Sequence, residues 1–249
     1  MLKCGLLGKT LSHSRSPEIH AQLGNYEYRL YEMPEEALPA FLADPFWNGL
    51  NVTIPYKKTV LPYLNELSPV AREIGSVNTI VRRPDGTLYG DNTDVFGFQA
   101  MVRRSGMDLS GQETLVLGSG GASVSVCCAL ASLGACPAVI SRSGPDNYEN
   151  LEARHPDAAF VVNTTPVGMF PHTDASPLDL TRLPRLKGVL DIIYNPTETL
   201  FLRQARSLGL PAVNGLYMLV AQACRSSELF TGVPVSDALM NRVYEQELR

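Results

Sequence analysis

The stretch Thr114–Ile140 constrains the fold of this chain more than any other part of it. Thr114-Leu115-Val116-Leu117 is a β-branched and aliphatic run. Gly118-Ser119-Gly120-Gly121 follows without a spacer, Ala122–Leu133 is a helical run that stops before Gly134, and Ala138–Ile140 is a second short apolar run. Strand, glycine turn, helix, strand is a βαβ unit, and its crossover makes the two strands parallel neighbours in one sheet. The rest of the chain repeats the alternation. Strands are predicted at Cys4–Leu7, Tyr28–Tyr31, Gly49–Thr53, Phe160–Asn163 and Val189–Ile193. Ser16-Pro17 opens a helix with Ser16 as N-cap. Further helices are predicted at Leu38–Ala43, Lys57–Leu64, Asp94–Ser105, Leu200–Leu208, Leu216–Phe230 and Ser236–Leu248. Asn78–Arg82 and Thr87–Tyr89 form a hairpin around Pro84-Asp85-Gly86. Such a pattern is α/β, built in two units.

Length and composition narrow the function classes. The 249 residues allow one large domain or two modest ones. A 45% hydrophobic content supplies a core and excludes general disorder. A formal net charge of −4 does not suit a nucleic-acid binder, which needs a concentrated basic face. No apolar run approaches the roughly 20 residues that span a bilayer, and Met1–Gly8 is too interrupted by glycine to serve as a secretory signal. The expectation is a cytoplasmic protein without membrane contact. The five cysteines form no Cys-x-x-Cys pair, and His13, His20, His155 and His172 lack metal-ligand spacing, so buried thiols and no metal are expected.

The glycine turn carries chemistry as well as geometry. Gly118-x-Gly120 lets backbone N–H groups approach a pyrophosphate at the positive end of the following helix. The third small position is Ser123, so the dinucleotide fingerprint is imperfect. The second strand ends at Ser141-Arg142-Ser143, where an NAD site places an acid for the ribose hydroxyls. A guanidinium and two hydroxyls there favour a 2′-phosphate, hence NADP over NAD. Asp146, on the same segment, would repel that phosphate if it pointed inward. The first half of the chain holds three further polar segments: Ser12-His13-Ser14-Arg15-Ser16-Pro17, Asn51-Val52-Thr53-Ile54-Pro55-Tyr56-Lys57, and Gly90-Asp91-Asn92-Thr93-Asp94 with Val77-Asn78-Thr79 before it. Hydroxyls, amides, one ammonium and one carboxylate at strand ends suit a small polyhydroxylated acid.

These segments, taken in order, resemble the shikimate dehydrogenase family over nearly the whole chain. The resemblance continues through Asn163-Thr164-Thr165-Pro166-x-Gly168-Met169, Asp191-x-x-Tyr194-Asn195-Pro196 and Asn214-Gly215-Leu216-x-Met218-Leu219-x-x-Gln222. It implies reversible reduction of 3-dehydroshikimate to shikimate with NADPH. By the same resemblance Lys57 is the catalytic acid/base and Asp94 its partner. Hydride delivery to a carbonyl leaves an alkoxide that needs a proton, and an ammonium supplies it. The matching implies substrate contacts from Ser14, Ser16, Thr53, Asn78, Asp94, Tyr194 and Gln222. For the cofactor it implies the Gly118, Ser119, Gly120, Gly121, Ala122 turn, Ser141, Arg142, Ser143, Thr164, Ile192 and Gly215.

The implied architecture is two α/β domains. Residues 1–93 with 216–249 form the substrate domain, the C-terminal helices returning to it. Residues 94–215 form a doubly wound, Rossmann-type nucleotide domain, with the active site in the cleft between the two. The chain is expected to be a monomer or homodimer. It departs from the family pattern at Val124 and Ser125, at Asp146 in a basic position, and in a short 143–162 segment. Two alternatives follow: an NAD-preferring quinate/shikimate dehydrogenase, and a metabolite-binding protein without catalysis.

Overall fold

The computed structural model describes residues 1–11 and 14–248. Ser12 and His13, which open the first polar segment, lie outside the described residues. The chain divides into two compact units, Met1–Phe96 with Val220–Arg249, and Gly97–Leu219.

In chain order the first unit holds β1 (Lys3–Gly8), α1 (Ser16–Ala21), β2 (Glu27–Glu32), α2 (Leu38–Ala43), β3 (Gly49–Val52), β4 (Glu66–Leu67), α3 (Pro69–Ile74), β5 (Thr79–Arg82) and β6 (Leu88–Asp91). Its sheet runs β2-β1-β3-β5-β6-β4. β1 pairs in parallel with β2 and β3, and β5 is antiparallel to both β3 and β6. The β5–β6 hairpin turns at Gly86, whose φ of 86° is open to glycine and strained for other residues. Trp47, Leu50, Tyr56, Val60 and Ile80 are buried together beneath this sheet.

Two predicted features of this unit are corrected. Ser16 is the first residue of α1 and not its N-cap; the Ser14 hydroxyl accepts the Ser16 N–H at 3.2 Å. The predicted Lys57–Leu64 helix is a series of turns ending in a 3₁₀ turn at Leu61–Tyr63. The Lys57 carbonyl accepts from Val77 N–H at 2.8 Å and not from Leu61. Leu61 N–H turns to Lys58 instead, and Pro62 has no N–H to offer. The same Val77 bond fastens Lys57 beside the start of β5.

α4 (Asp94–Ser105) leads into the second unit, with β7 (Glu113–Leu117), α5 (Gly121–Ser132), β8 (Cys136–Ile140), α6 (Leu151–Arg154), β9 (Phe160–Asn163), β10 (Gly188–Asp191), α7 (Leu200–Ser207) and β11 (Ala212–Val213). Its five strands are all parallel, ordered β11-β10-β9-β7-β8. The chain winds from β7 out to β8 and then crosses to β9 on the other side of β7. The loops after β7 and β9 therefore diverge, which opens the crevice where doubly wound sheets bind ligands. Leu115, Val161, Val189 and Phe201 are fully buried in its core. α8 (Leu216–Thr231) and α9 (Asp237–Glu247) complete the chain.

All five cysteines are free. Cys4 and Cys224 are buried, and burial pushes both thiols up to about 12. Cys136 departs from the expected burial: it is exposed because it begins β8, the edge strand. Among the described residues no helix is long and apolar enough to cross a membrane.

Candidate functional site

The first unit gathers a polar centre from three segments distant in sequence. Lys57 Nζ lies 2.6 Å from Asp94 Oδ2. Asp94 is the first residue of α4, where the positive end of the helix favours a carboxylate. The two side chains keep 25% and 14% of their surface exposed, so the pair is open to a small molecule.

Asn78, just before β5, donates its side-chain N–H to Asp94 Oδ1 at 2.9 Å. Its Oδ1 accepts the Thr93 N–H at 2.8 Å, with the Thr79 and Thr93 hydroxyls at 3.0 and 3.2 Å. The donors on one side and the carboxylate on the other fix which way the amide faces. Beneath it lies a buried layer of amides and hydroxyls. Asn51 donates to Ser226 Oγ at 2.7 Å and Thr79 Oγ1 at 3.1 Å, and accepts from the Tyr28 hydroxyl at 2.7 Å. Ser226 Oγ reaches back to the Gln222 carbonyl at 2.9 Å, and Gln222 Oε1 lies 3.5 Å from Thr93 Oγ1.

Of the predicted substrate residues, the structure thus joins Lys57, Asn78, Asp94 and Gln222 in one network. Ser14 and Ser16 sit at the start of α1, and Thr53, at the end of β3, gives its N–H to Leu7. Among the described residues these three stand outside the hydrogen bonds of the ion pair. Sequence reading does not reach Ser226; its only signal there is its position one helical turn after Gln222. His20, weighed in the sequence only as a metal ligand, has a packing role. It is buried, stacked on Tyr28 with ring centroids 3.9 Å apart and bonded through Nδ1 to the Tyr26 hydroxyl at 2.6 Å. Burial lowers it to about 3, so it is neutral near pH 7.

In the second unit a cavity of about 560 Å³ opens at the divergence of β7 and β9. It is lined by Gly118, Ser119 and Gly120 after β7, Ser141 and Arg142 after β8, and Thr164 after β9. Thr165, within the Asn163–Met169 motif, also lines it, as do Tyr148 and Ser176, which sequence reading does not single out. Gly118 has a φ of 104°, and a Cβ there would come within 2.9 Å of Thr165 Cγ2. Gly120 caps α5 without a side-chain hydrogen bond, so the first-turn N–H groups have no side-chain cap. A Cβ on Gly120 or Gly121 would meet nothing within 4 Å, so the backbone there is open to a bound anion. A bare helix start, a cation and a glycine cradle together fit a phosphorylated dinucleotide.

Ser143 is exposed, and Ala122 lies in the first turn of α5; neither lines the cavity. Ile192 and Tyr194 follow β10, and a Cβ on Gly215 would fall 2.0 Å from the Ile192 carbonyl oxygen. Asp191, at the end of β10, is fully buried and accepts from Thr199 Oγ1, Ile193 N–H and Asn163 Nδ2 at 2.7, 3.0 and 3.1 Å. Burial outweighs those three donors and raises it to about 6.

Residues 6–80 match the shikimate dehydrogenase substrate binding domain, and residues 215–243 the shikimate 5′-dehydrogenase C-terminal domain. A shikimate dehydrogenase (NADP(+)) of Clostridium perfringens strain SM101 is 36% identical over 97% of this chain and 97% of its own length. The chain belongs to the shikimate dehydrogenase family. A chorismate mutase/shikimate 5-dehydrogenase fusion protein from Clostridium acetobutylicum superposes with a TM-score of 0.93 at 34% identity, covering 100% of this chain and 97% of that one. The shikimate 5-dehydrogenase of Thermus thermophilus, solved with NADP(H) and shikimate, gives a TM-score of 0.88 at 33% identity and 99% coverage of each chain. The fold is the two-domain one of that family, a substrate-binding unit joined to a Rossmann-type unit. In this member of the shikimate dehydrogenase family Thr53, Lys57 and Asn78 fall within the substrate-binding match, and Gly215 and Gln222 within the C-terminal one.

Proposed function

We infer that this enzyme reversibly reduces 3-dehydroshikimate to shikimate with NADP(H), using Lys57 as acid/base and Asp94 as its partner. The observation that carries this reading is the Lys57–Asp94–Asn78 arrangement, an ammonium, a carboxylate and an oriented amide open to a small polar ligand. A nicotinamide held there would supply the hydride that reduces the substrate's carbonyl carbon. As the carbon–oxygen π pair moves onto oxygen, Lys57 Nζ gives that oxygen a proton, and the partly exposed amine is reprotonated from water. Asp94 holds the ammonium in place, and Asn78 holds Asp94. A protein that only bound the ligand would have no use for this proton donor.

Ser14, Ser16, Thr53, Asn78, Tyr194 and Gln222 are assigned to the hydroxyls and carboxylate of the substrate. The turn Gly118–Gly121 and Thr164 would take the pyrophosphate side of the cofactor, and Ser141 and Arg142 its 2′-phosphate, whereas Ala122 and Ser143 stand off the cavity lining. Ile192 and Gly215 line the nicotinamide side. A cytoplasmic location belongs to the same reading, since reduced pyridine nucleotide and free thiols coexist there.

The test is shikimate oxidation followed by nicotinamide absorbance, with NADP and NAD side by side. A higher kcat/KM with NADP is expected; a clear NAD preference would replace the assignment with the NAD-using quinate/shikimate alternative. Lys57→Ala should lower kcat by about 100-fold or more, with shikimate affinity little changed. Near-normal turnover in that variant would refute the acid/base role.

A further inference from the structure

The loop after β8 places a cation and an anion together. Ser141 N–H donates to the Asp146 carbonyl at 3.1 Å, which closes residues 141–146 into a tight turn. Gly144 makes that closure possible, because a Cβ there would lie 2.6 Å from Ser141 Oγ. Arg142, on this turn, lines the cavity. Left alone, the Asp146 carboxylate would cancel the field of Arg142 on its own turn.

Arg154, the last residue of α6, forms an ion pair with Asp146 through Nε. His155 Nε2 lies 3.5 Å from the same Asp146 oxygen, while its Nδ1 bonds Glu113 at 2.8 Å. The pairing is built into the local fold. Asn150, just before α6, donates to the Pro145 carbonyl at 2.9 Å and accepts the Asn147 N–H at 2.9 Å, so loop and helix are clamped together. Arg182, paired with Glu152 of α6, holds the Tyr148 carbonyl at 2.8 Å beside the cavity.

We propose that Arg154 sets the cofactor selectivity of this cavity by neutralising Asp146, which leaves Arg142 as the uncancelled charge facing a 2′-phosphate. Arg154 is a positioning residue: it acts through Asp146 and is not among the residues that line the cavity. This rests on the NADP reading above.

The experiment measures direct binding of NADP⁺ and NAD⁺ by calorimetric titration to the full chain, to Arg154→Gln, and to the double variant Asp146→Asn with Arg154→Gln. If the reading holds, the unaltered protein binds NADP⁺ more tightly than NAD⁺. Arg154→Gln should then weaken NADP⁺ by about fivefold, the scale of one partly exposed charge–charge interaction, and leave NAD⁺ within about twofold. The double variant should recover the original NADP⁺ affinity to within about twofold. The Arg154→Gln deficit should also shrink in about 0.5 M salt, where screening is strong; a packing defect would not respond in this way. Equal weakening of both cofactors, no change in either, or no recovery in the double variant would overturn the proposal while the NADP reading stands. Unaltered protein that binds NAD⁺ as tightly as NADP⁺ would overturn the reading itself, and the proposal with it.

Discussion

The amide of Asn78 faces a carboxylate on one side and three donors on the other, and a flipped amide would set like against like on both. The Asp94 carboxylate is 2.9 Å away and the Thr93 N–H 2.8 Å away, so the side chain has one satisfied orientation. Asn78→Asp tests this at constant size. It would put a second carboxylate against Asp94 and remove the only N–H donors of this side chain. The expected outcome is a stability loss of roughly 2–3 kcal/mol by urea unfolding and about a 100-fold fall in kcat/KM for shikimate. Near-normal values of both would show that the amide orientation contributes nothing. Asn78, Lys57 and Asp94 are all legible as residues, because polar groups clustered at strand ends are visible in a linear text. Their mutual geometry is not, since Lys57 and Asp94 are 37 positions apart.

At the scale of elements, local signals succeed where local chemistry decides. Leu38–Ala43 and Phe160–Asn163 form over the residues that periodicity and punctuation predict. The predicted Lys57–Leu64 helix gives way to turns: the Lys57 carbonyl pairs with the distant Val77 N–H, Leu61 N–H bonds Lys58, and Pro62 has no N–H to continue a helix. α3 escapes the sequence reading although Ser68-Pro69 repeats the Ser-Pro opening read at α1, Ser68 caps it through the Ala71 N–H at 3.0 Å, and Gly75 ends it at a φ of 67°. The turn from β11 into α8 depends on close backbone approach at Gly215. Gly215→Ala would force its Cβ against the Ile192 carbonyl and displace both the start of α8 and the loop after β10. We expect a loss of about 2 kcal/mol or more, with NADP⁺ binding weakened at least tenfold. A variant with unaltered melting temperature and cofactor titration would contradict this.

His20 and Asp191 are buried titratable groups whose effects on acid stability have opposite sign, one in each unit. His20 in the first unit is lowered by burial from 6.5 to about 3, so between these values the unfolded chain binds a proton that the folded one does not. Stability therefore declines progressively as pH falls from 6.5 towards about 3. Asp191 in the second unit is raised by burial from 3.8 to about 6, so below 6 the folded state holds the extra proton and that unit gains stability. Each group contributes up to about 1.4 kcal/mol per pH unit within its window. Trp47 is the single tryptophan and is fully buried in the first unit, so its fluorescence reports that unit alone. Between pH 7 and pH 5 the urea midpoint seen by Trp47 should fall, while the remaining transition seen by circular dichroism should rise. Asp191→Asn should abolish only the rise. Transitions that move together at both pH values would sink the assignment.

The alternation of strand and helix, the parallel pairing implied by Thr114–Ile140, and the set of polar residues at strand ends were determined by the sequence itself. Each depends on side-chain period, turn chemistry or a glycine within a few positions, which a linear text displays. Tertiary structure alone decided the strand order that opens the cavity between β7 and β9, and the orientation of Asn78. It also decided that Ser226 would meet Asn51 from 175 positions away. These depend on which distant groups the packed units bring within hydrogen-bond or ion-pair reach, and no local pattern encodes that distance.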